Sequence, residues 1–403
     1  MGDFHWDFLR LGDWSWFFWP AVPLYPYGKR RTIRKEVIKD TVWTFDQQQG
    51  IFYVVTPIRM TIVKLERGGL LVYAPVAPTP ECVKLVRELE AEHGQVSYII
   101  LPTVSGAEHK VFVGPFARHF PNAQVFVAPN QWSFPLNLPL SWLGFPPKRT
   151  QFLPDNSSQA PFAEEFDYAV LGPIELGLGP FEEVAFFHKR SRTLLVTDSV
   201  LSVPEEPPEI VQRDLSPLLF HAKDDAFDVV EDSLANRLQG WQRIVLFTFY
   251  FQPSKLEAVG LGQALRDTLQ APYWSKKAYF GFFPWKWRDG WKQSFDALRG
   301  GGRLLVAPIL QTLIFNRAPQ ETINWANQVA SWDFEQIIPC HLDAPIKANP
   351  HQFRQGFSFL EKEPAKGESL PINRSQPLPE EDLEFIKELE ENLTENNIIP
   401  PPP

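Results

Sequence analysis

VSYIILPTVSGAEH, residues 96–109, decides how the rest of the sequence is read. An apolar run from Val96 to Leu101 stops at Pro102 and opens into small polar residues that deliver an adjacent acid and imidazole, Glu108 and His109. A short apolar run bounded by a proline reads as a strand buried on both faces, with its end at a sheet edge that faces a cleft. Any chemistry in the chain is expected at that edge.

Upstream, Thr41 to Phe45, Phe52 to Val55 and Met60 to Lys64 each read as strands, and IVKLERGGLLVYAP reads as a hairpin turned by Gly68 and Gly69. Thr79 has the character of an N-cap with Pro80 at the first helical position. Cys82, Leu85, Val86 and Leu89 then share one helical face, and the helix ends near Gly94. Hairpin, helix and buried strand in that order favour a mixed α/β sandwich over an all-β fold. Downstream, TLLVTD ends a strand at Asp198. From Arg303 a strand, a helix over Pro319 to Ser331 and the strand QIIP deliver Cys340 and His341 to a sheet edge.

The segments GGLLVYAPVAPTPE, YIILPTVSGAEHKVFVGPFARHFPNAQVFVAP, SRTLLVTDSV and IIPCHLDAP resemble an uncharacterised family of the metallo-β-lactamase-like superfamily, found in cyanobacteria and plastids. The resemblance covers Arg31 to Phe359. It implies one large α/β domain of four-layer αββα architecture with a helical insertion. The superfamily's His-x-His-x-Asp-His loop, which holds two metals, falls on Val104, Gly106, Glu108 and His109. Its bridging aspartate falls on Asp198, its last histidine on His341, and its third histidine, nineteen residues before the aspartate, on Gly179. All three histidines of the first metal are therefore replaced, whereas the second position keeps Glu108, His109, Asp198 and His341. Two imidazoles and two carboxylates suit one Zn, Fe or Mn ion. The alternative is that the four form a hydrogen-bonded polar cluster in a domain that has lost catalysis.

Other histidines carry no comparable signal. His188 reads as a surface residue at a strand junction, His119 as a helix-end or surface group, and His221 and His351 as loop residues. Cys340 reads as a small buried neighbour of His341.

Composition narrows the function classes. With 39 basic against 48 acidic residues and a net charge of -9, the chain has no basic block that fits a phosphate backbone, so nucleic acid is not expected as a partner. Two cysteines, Cys82 and Cys340, allow no disulfide framework and suit a reducing compartment, cytoplasm or plastid stroma. Seven of the 14 Trp and seven of the 33 Phe fall in two short runs, residues 1–30 and Tyr279 to Trp291. Each is either an interfacial surface or packing material. In the first reading the N-terminal arm makes peripheral membrane contact.

The expected division is residues 1–30 as the aromatic arm, 31–360 as the sandwich with an insertion at about 204–302, and 361–403 as an acidic, Pro-rich tail, solvated or partner-bound. Residues 134–161 read as an irregular loop at the cleft edge. Two functions from different classes follow: a single-metal hydrolase on a small substrate, or a non-catalytic scaffold or assembly factor for a protein partner or membrane surface.

Overall fold

In the computed structural model the described residues are 14–15, 23–104, 106–134, 136–177, 179–361 and 378–403. The arm is outside them apart from residues 14–15 and 23–30. A first sheet contains β1 (Leu24–Tyr25), β2 (Ile33–Ile38), β3 (Val42–Ile51), β4 (Val54–Lys64), β5 (Leu70–Tyr73), β6 (Val96–Leu101), β7 (Gln124–Val127) and β8 (Thr150–Phe152). Its order is β1-β3-β4-β5-β6-β7-β8 with β2 on β3, antiparallel as far as β5 and parallel from β5 to β8. The three strand segments expected between residues 41 and 64 are two long strands. The chain reverses at Phe52 and Tyr53, both at positive φ.

Helix α1 (Pro80–His93) starts where the sequence places it. The Thr79 hydroxyl accepts from the Cys82 amide at 3.1 Å, and Gly94, at φ 97°, ends the helix. Helix α2 (Val111–His119) links β6 to β7.

The second sheet is formed by β9 (Phe166–Glu175), β10 (Pro180–His188) and β11 (Thr193–Val196). An inserted segment follows, with α3 (Ser216–His221), α4 (Leu234–Tyr250), β12 (Leu256–Ala258), α5 (Leu261–Thr268), β13 (Trp285–Trp287), α6 (Trp291–Arg299) and α7 (Pro308–Leu313). Leu201 and Leu305 exchange backbone hydrogen bonds at 2.9 Å and pinch its base. Helix α8 (Pro319–Val329), β14 (Gln336–Pro339), β15 (Ile346–Lys347) and α9 (Pro350–Gln355) complete the sandwich, whose second sheet runs β15-β14-β11-β10-β9.

Alternation along the strands sorts the core into layers. Trp43, Ile62, Val72 and Ile99 pack with α1 and α2, while Val42, Val63, Leu71, Tyr73 and Ile100 meet Phe166, Val184, Phe186, Leu195 and Ile338 of the second sheet. The outer face of that sheet packs Leu194, Val196 and Ile337 on Trp325, Ala326, Val329 and Phe353. The architecture is thus αββα. The insertion has its own core around Trp241, Ile244 and Leu246. Tyr279, Phe283 and Trp287 of the aromatic run are buried in it, so that run is largely packing material.

In the insertion α4 starts at Leu234, and α5 starts at Leu261 after β12 has paired with β13. Two local expectations are corrected. The acidic tail helix, α10 (Glu380–Glu395), is neither solvated nor left for a partner but docked on the insertion. Ile386 enters the insertion core, Asp382 Oδ1 accepts from the Ser254 amide at 2.9 Å, and Glu390 pairs with Arg317 at 2.7 Å. His188 is buried, since the β9–β10 pairing runs on to Phe166 opposite His188 and the imidazole stacks on that ring at 4.8 Å.

His221 is not in a loop but ends α3, buried, with Nε2 donating to the Phe52 carbonyl at 3.3 Å. Burial pushes His221 down to about 3 and His188 down to about 4. The folded chain holds both neutral while the unfolded chain protonates them from about pH 6.5 downward. Their neutrality therefore costs nothing above that pH. Stability falls as pH drops from about 6.5 toward 4, by up to roughly 1.4 kcal/mol per unit for each histidine. Thermal melts from pH 7.5 to 4.5 are expected to show this slope, and His221→Gln, which keeps a donor without a titrating ring, flattens it.

Candidate metal centre

Strands β11 and β14 are adjacent and parallel, with Val196 opposite Pro339. Two residues beyond each of these partners stand Asp198 and His341. The register alone therefore puts an acid and an imidazole side by side at the carboxyl edge, where open α/β sheets collect functional groups. Glu108 and His109 arrive from the first sheet. After β6 the chain winds through one π-helical turn, Gly106–Lys110, that runs directly into α2. Such turns reset side-chain phase and recur at functional sites.

These elements bring together Glu108, Asp198 and His341, whose ligand atoms all lie within 4.8 Å of one another. His341 Nε2 is 3.0 Å from a Glu108 oxygen and 3.0 Å from an Asp198 oxygen. Its other nitrogen, Nδ1, lies 2.9 Å from the Pro57 carbonyl on β4. A carbonyl only accepts, so Nδ1 carries the proton and Nε2 is aimed at the carboxylates.

His109 repeats the device. Its Nδ1 donates to the Pro75 carbonyl at 3.1 Å, and its buried Nε2 has no hydrogen-bond partner among the described residues. His109 stands outside the group of three, close enough for its charge to couple to Glu108, His341 and Asp198.

Burial alone would strip the proton from His341, but Glu108 and then Asp198 outweigh it and hold the imidazole protonated well above its ordinary range. Burial likewise opposes the Glu108 charge. His341 beside it, helped by His109 and by a hydrogen bond from Gln49, keeps that carboxyl far below the usual range. His109 is driven the other way, toward the neutral form, by its burial. Without an ion the site is thus a charged triad beside a neutral imidazole with an unused lone pair.

Two buried side chains that sequence reasoning missed hold this geometry. Glu183 on β10 accepts from the amides of Thr197, Asp198 and Ser199 at 2.8, 3.0 and 2.8 Å, and from the Ser199 hydroxyl at 2.8 Å. Its carboxylate takes four donors of the turn that carries Asp198. Arg59 on β4 donates to the carbonyls of Pro339 and Leu342 at 2.8 Å each, spanning His341, and pairs with Asp46 at 2.7 Å. A Glu-Glu pair inside an apolar strand, FEEVAFF, is the one sequence signal that pointed to Glu183, because a buried carboxylate needs a dedicated set of donors. Glu183→Gln places an amide NH2 against that row of donors. It is expected to weaken metal loading roughly 10–100-fold while all ligands remain, as loss of an orienting partner does. Competition with a metallochromic chelator measures this.

Packing fills two of the positions where the resemblance placed the missing histidines. Val104 packs into the core between the sheets. A Cβ at Gly179, which sits at φ 120°, would lie 2.3 Å from the Trp132 ring. Trp132 thus occupies the space a side chain at Gly179 would need, and its carbonyl accepts from buried Lys110 at 2.5 Å. Gly179→His is expected to destabilise the fold by roughly 1–3 kcal/mol, through both the backbone and the ring. It adds no second ion, which thermal melts and elemental analysis check together.

A four-layer αββα sandwich with one cluster of ligand-type residues at the carboxyl edge of its second sheet is the class of protein described here. The chain belongs to the family described as "Domain of unknown function (DUF4336)", matched over residues 39–359. Among solved structures it is similar to the metal-soaked Flv1 flavodiiron core from Synechocystis sp. PCC6803, at 12% identity and TM-score 0.39 over 82% of this chain and 61% of that one. It is similar also to a histidine-substituted flavo di-iron protein from Thermotoga maritima, at 8% identity and TM-score 0.42 over 84% of this chain and 64% of that one. A metallo-β-lactamase from Hirschia baltica matches at 8% identity and TM-score 0.35 over 82% of this chain and 97% of that one. The chain spans less than two thirds of the two flavodiiron chains. No curated protein matches the sequence.

Proposed function

We propose that Glu108, Asp198 and His341 hold one Zn, Fe or Mn ion, with His109 beside it, and that the site serves hydrolysis of a small substrate. The observation that carries this reading is the convergence of three ligand atoms within 4.8 Å, next to a buried imidazole nitrogen left without a partner. Both histidines have Nδ1 committed to a proline carbonyl, the arrangement that fixes a metal-binding tautomer. The donor set, nitrogen and carboxylate oxygen, suits these ions.

A bound ion of this kind supplies Lewis acidity, polarising a substrate oxygen and making nearby water easier to deprotonate. The residues supply the rest. Glu183 and Arg59 keep the turns after β11 and β14 fixed, so Asp198 and His341 do not reorganise on binding. His109, held neutral by burial, keeps its Nε2 lone pair free beside the triad.

A second reading, a non-catalytic scaffold for a protein partner, is favoured by the hydrogen-bond satisfaction of His341, which already has three acceptors.

Elemental analysis after incubation with each ion separates the two. The first reading expects close to one ion per chain in the parent and less than about a tenth of that in His341→Ala and Asp198→Ala, since each removes a ligand. His341 is protonated beforehand, so loading expels its proton and acidifies an unbuffered solution; apparent affinity falls about tenfold for each unit the pH is lowered while His341 stays protonated. Turnover of ester, thioester or phosphoester probes that disappears in the same variants assigns the hydrolase. Parent protein that takes up none of the three ions sinks the metal reading and leaves the scaffold.

A further inference from the structure

The insertion turns an apolar face outward. Helix α5 has its buried side at Ala264, while Leu261, Leu265 and Leu269 are 67%, 55% and 84% exposed. Spaced by four residues, they stay within an arc of about 80° on the helix. The stripe does not end with the helix. Tyr273, Trp274 and Phe280 follow at 40%, 69% and 39% exposed, and the Trp274 and Phe280 rings lie 5.3 Å apart. The loop is held against the end of α5, since a Cβ on Gly281 would stand 2.7 Å from the Ala271 side chain and 3.1 Å from the Thr268 carbonyl. Three leucines and three aromatic rings thus form one continuous surface.

Its charge runs against that of the chain. Between Val259 and Gly290 there are five basic residues, Arg266, Lys276, Lys277, Lys286 and Arg288, against two acidic ones, Asp267 and Asp289, in a protein of net charge -9. Arg266, Lys276 and Lys277 are exposed beside the apolar stripe. A short, strongly amphipathic helix with outward leucines, Trp and Tyr at its border and lysines around it matches what lies in a bilayer interface. There the leucines reach the acyl boundary, aromatic rings settle at headgroup depth, and lysines meet anionic lipid. No helix among the described residues is long and apolar enough to cross a membrane, so contact through this face is peripheral.

We infer that α5 and the Tyr273–Phe280 loop are a docking surface for an anionic lipid bilayer. The inference is independent of the metal site, and it differs from the expectation attached to the N-terminal aromatic arm.

The test is co-sedimentation of the full chain with vesicles of phosphatidylcholine alone or mixed with phosphatidylglycerol. The expected result is partition onto the mixed vesicles that weakens with salt, little on phosphatidylcholine, and a loss of roughly tenfold or more in Leu265→Glu/Trp274→Glu. Lys276→Glu/Lys277→Glu is expected to weaken partition by a similar factor and flatten its salt dependence. All of these positions are exposed, and unchanged melting curves confirm that the variants fold. Three results overturn the inference: no partition onto anionic vesicles at low salt; equal partition of parent and Leu265→Glu/Trp274→Glu, which assigns binding to another segment such as the arm; or light scattering in which the parent is a dimer and that variant a monomer, which gives the face to a second copy.

Discussion

A carboxylate buried at the seam between the two sheets underlies the geometry of the site. Glu183 is fully buried, and burial opposes its charge, yet three successive amides and a hydroxyl are directed at it. It also bridges to Thr103 at the exit of β6, one residue after Pro102 accepts from the Val184 amide at 2.7 Å. The same short stretch of β10 therefore holds both the turn that carries Asp198 and the strand end from which Glu108 departs. Arg59 does the equivalent for His341 from β4, with its charge matched by Asp46 and its donors spent on carbonyls. A buried charge used in this way contributes less to stability than to fixing one arrangement, because its partners are specific atoms and not a volume to be filled.

The candidate ligands and the positions where the resemblance placed the missing histidines rest on different physics. Asp198 and His341 are set by the parallel register of β11 and β14 and tied down by Glu183 and Arg59, so their placement survives changes elsewhere. At two of those positions, 104 and 179, the structure has put apolar bulk. Val104 is core, and Trp132 leans over Gly179. Once an indole fills the space, packing maintains the closure as it maintains any core contact.

The insertion follows another logic. It is pinched at Leu201 and Leu305, has its own aromatic core, and is closed from outside by α10, whose Ile386 and Asp382 are buried and whose Glu390 meets Arg317. With that much apolar surface satisfied inside, the leucines left outside on α5 stand out, since exposed apolar surface of this continuity usually meets something.

Much of the sandwich was legible in the sequence because strand and helix periodicities, the Thr79-Pro80 cap and the Gly68-Gly69 turn are local physics, decided by neighbours a few residues away. The candidate ligands Glu108, Asp198 and His341 were legible through the family resemblance, and each also follows an apolar strand whose end falls at a sheet edge. What the sequence could not convey was everything set by pairing between distant segments. The depth of His188 depends on how far β9 follows β10, and the docking of α10 depends on Arg317 and on a core built from residues more than a hundred positions away. The plug at Gly179 depends on Trp132, which lies far earlier in the chain, and His109 falls beside the triad instead of within it because a π-helical turn sets its phase. The residue types and their order determined the layers and the ligand inventory. Tertiary structure alone decided which side chains meet, because a contact free energy exists only once both partners have been brought to the same place.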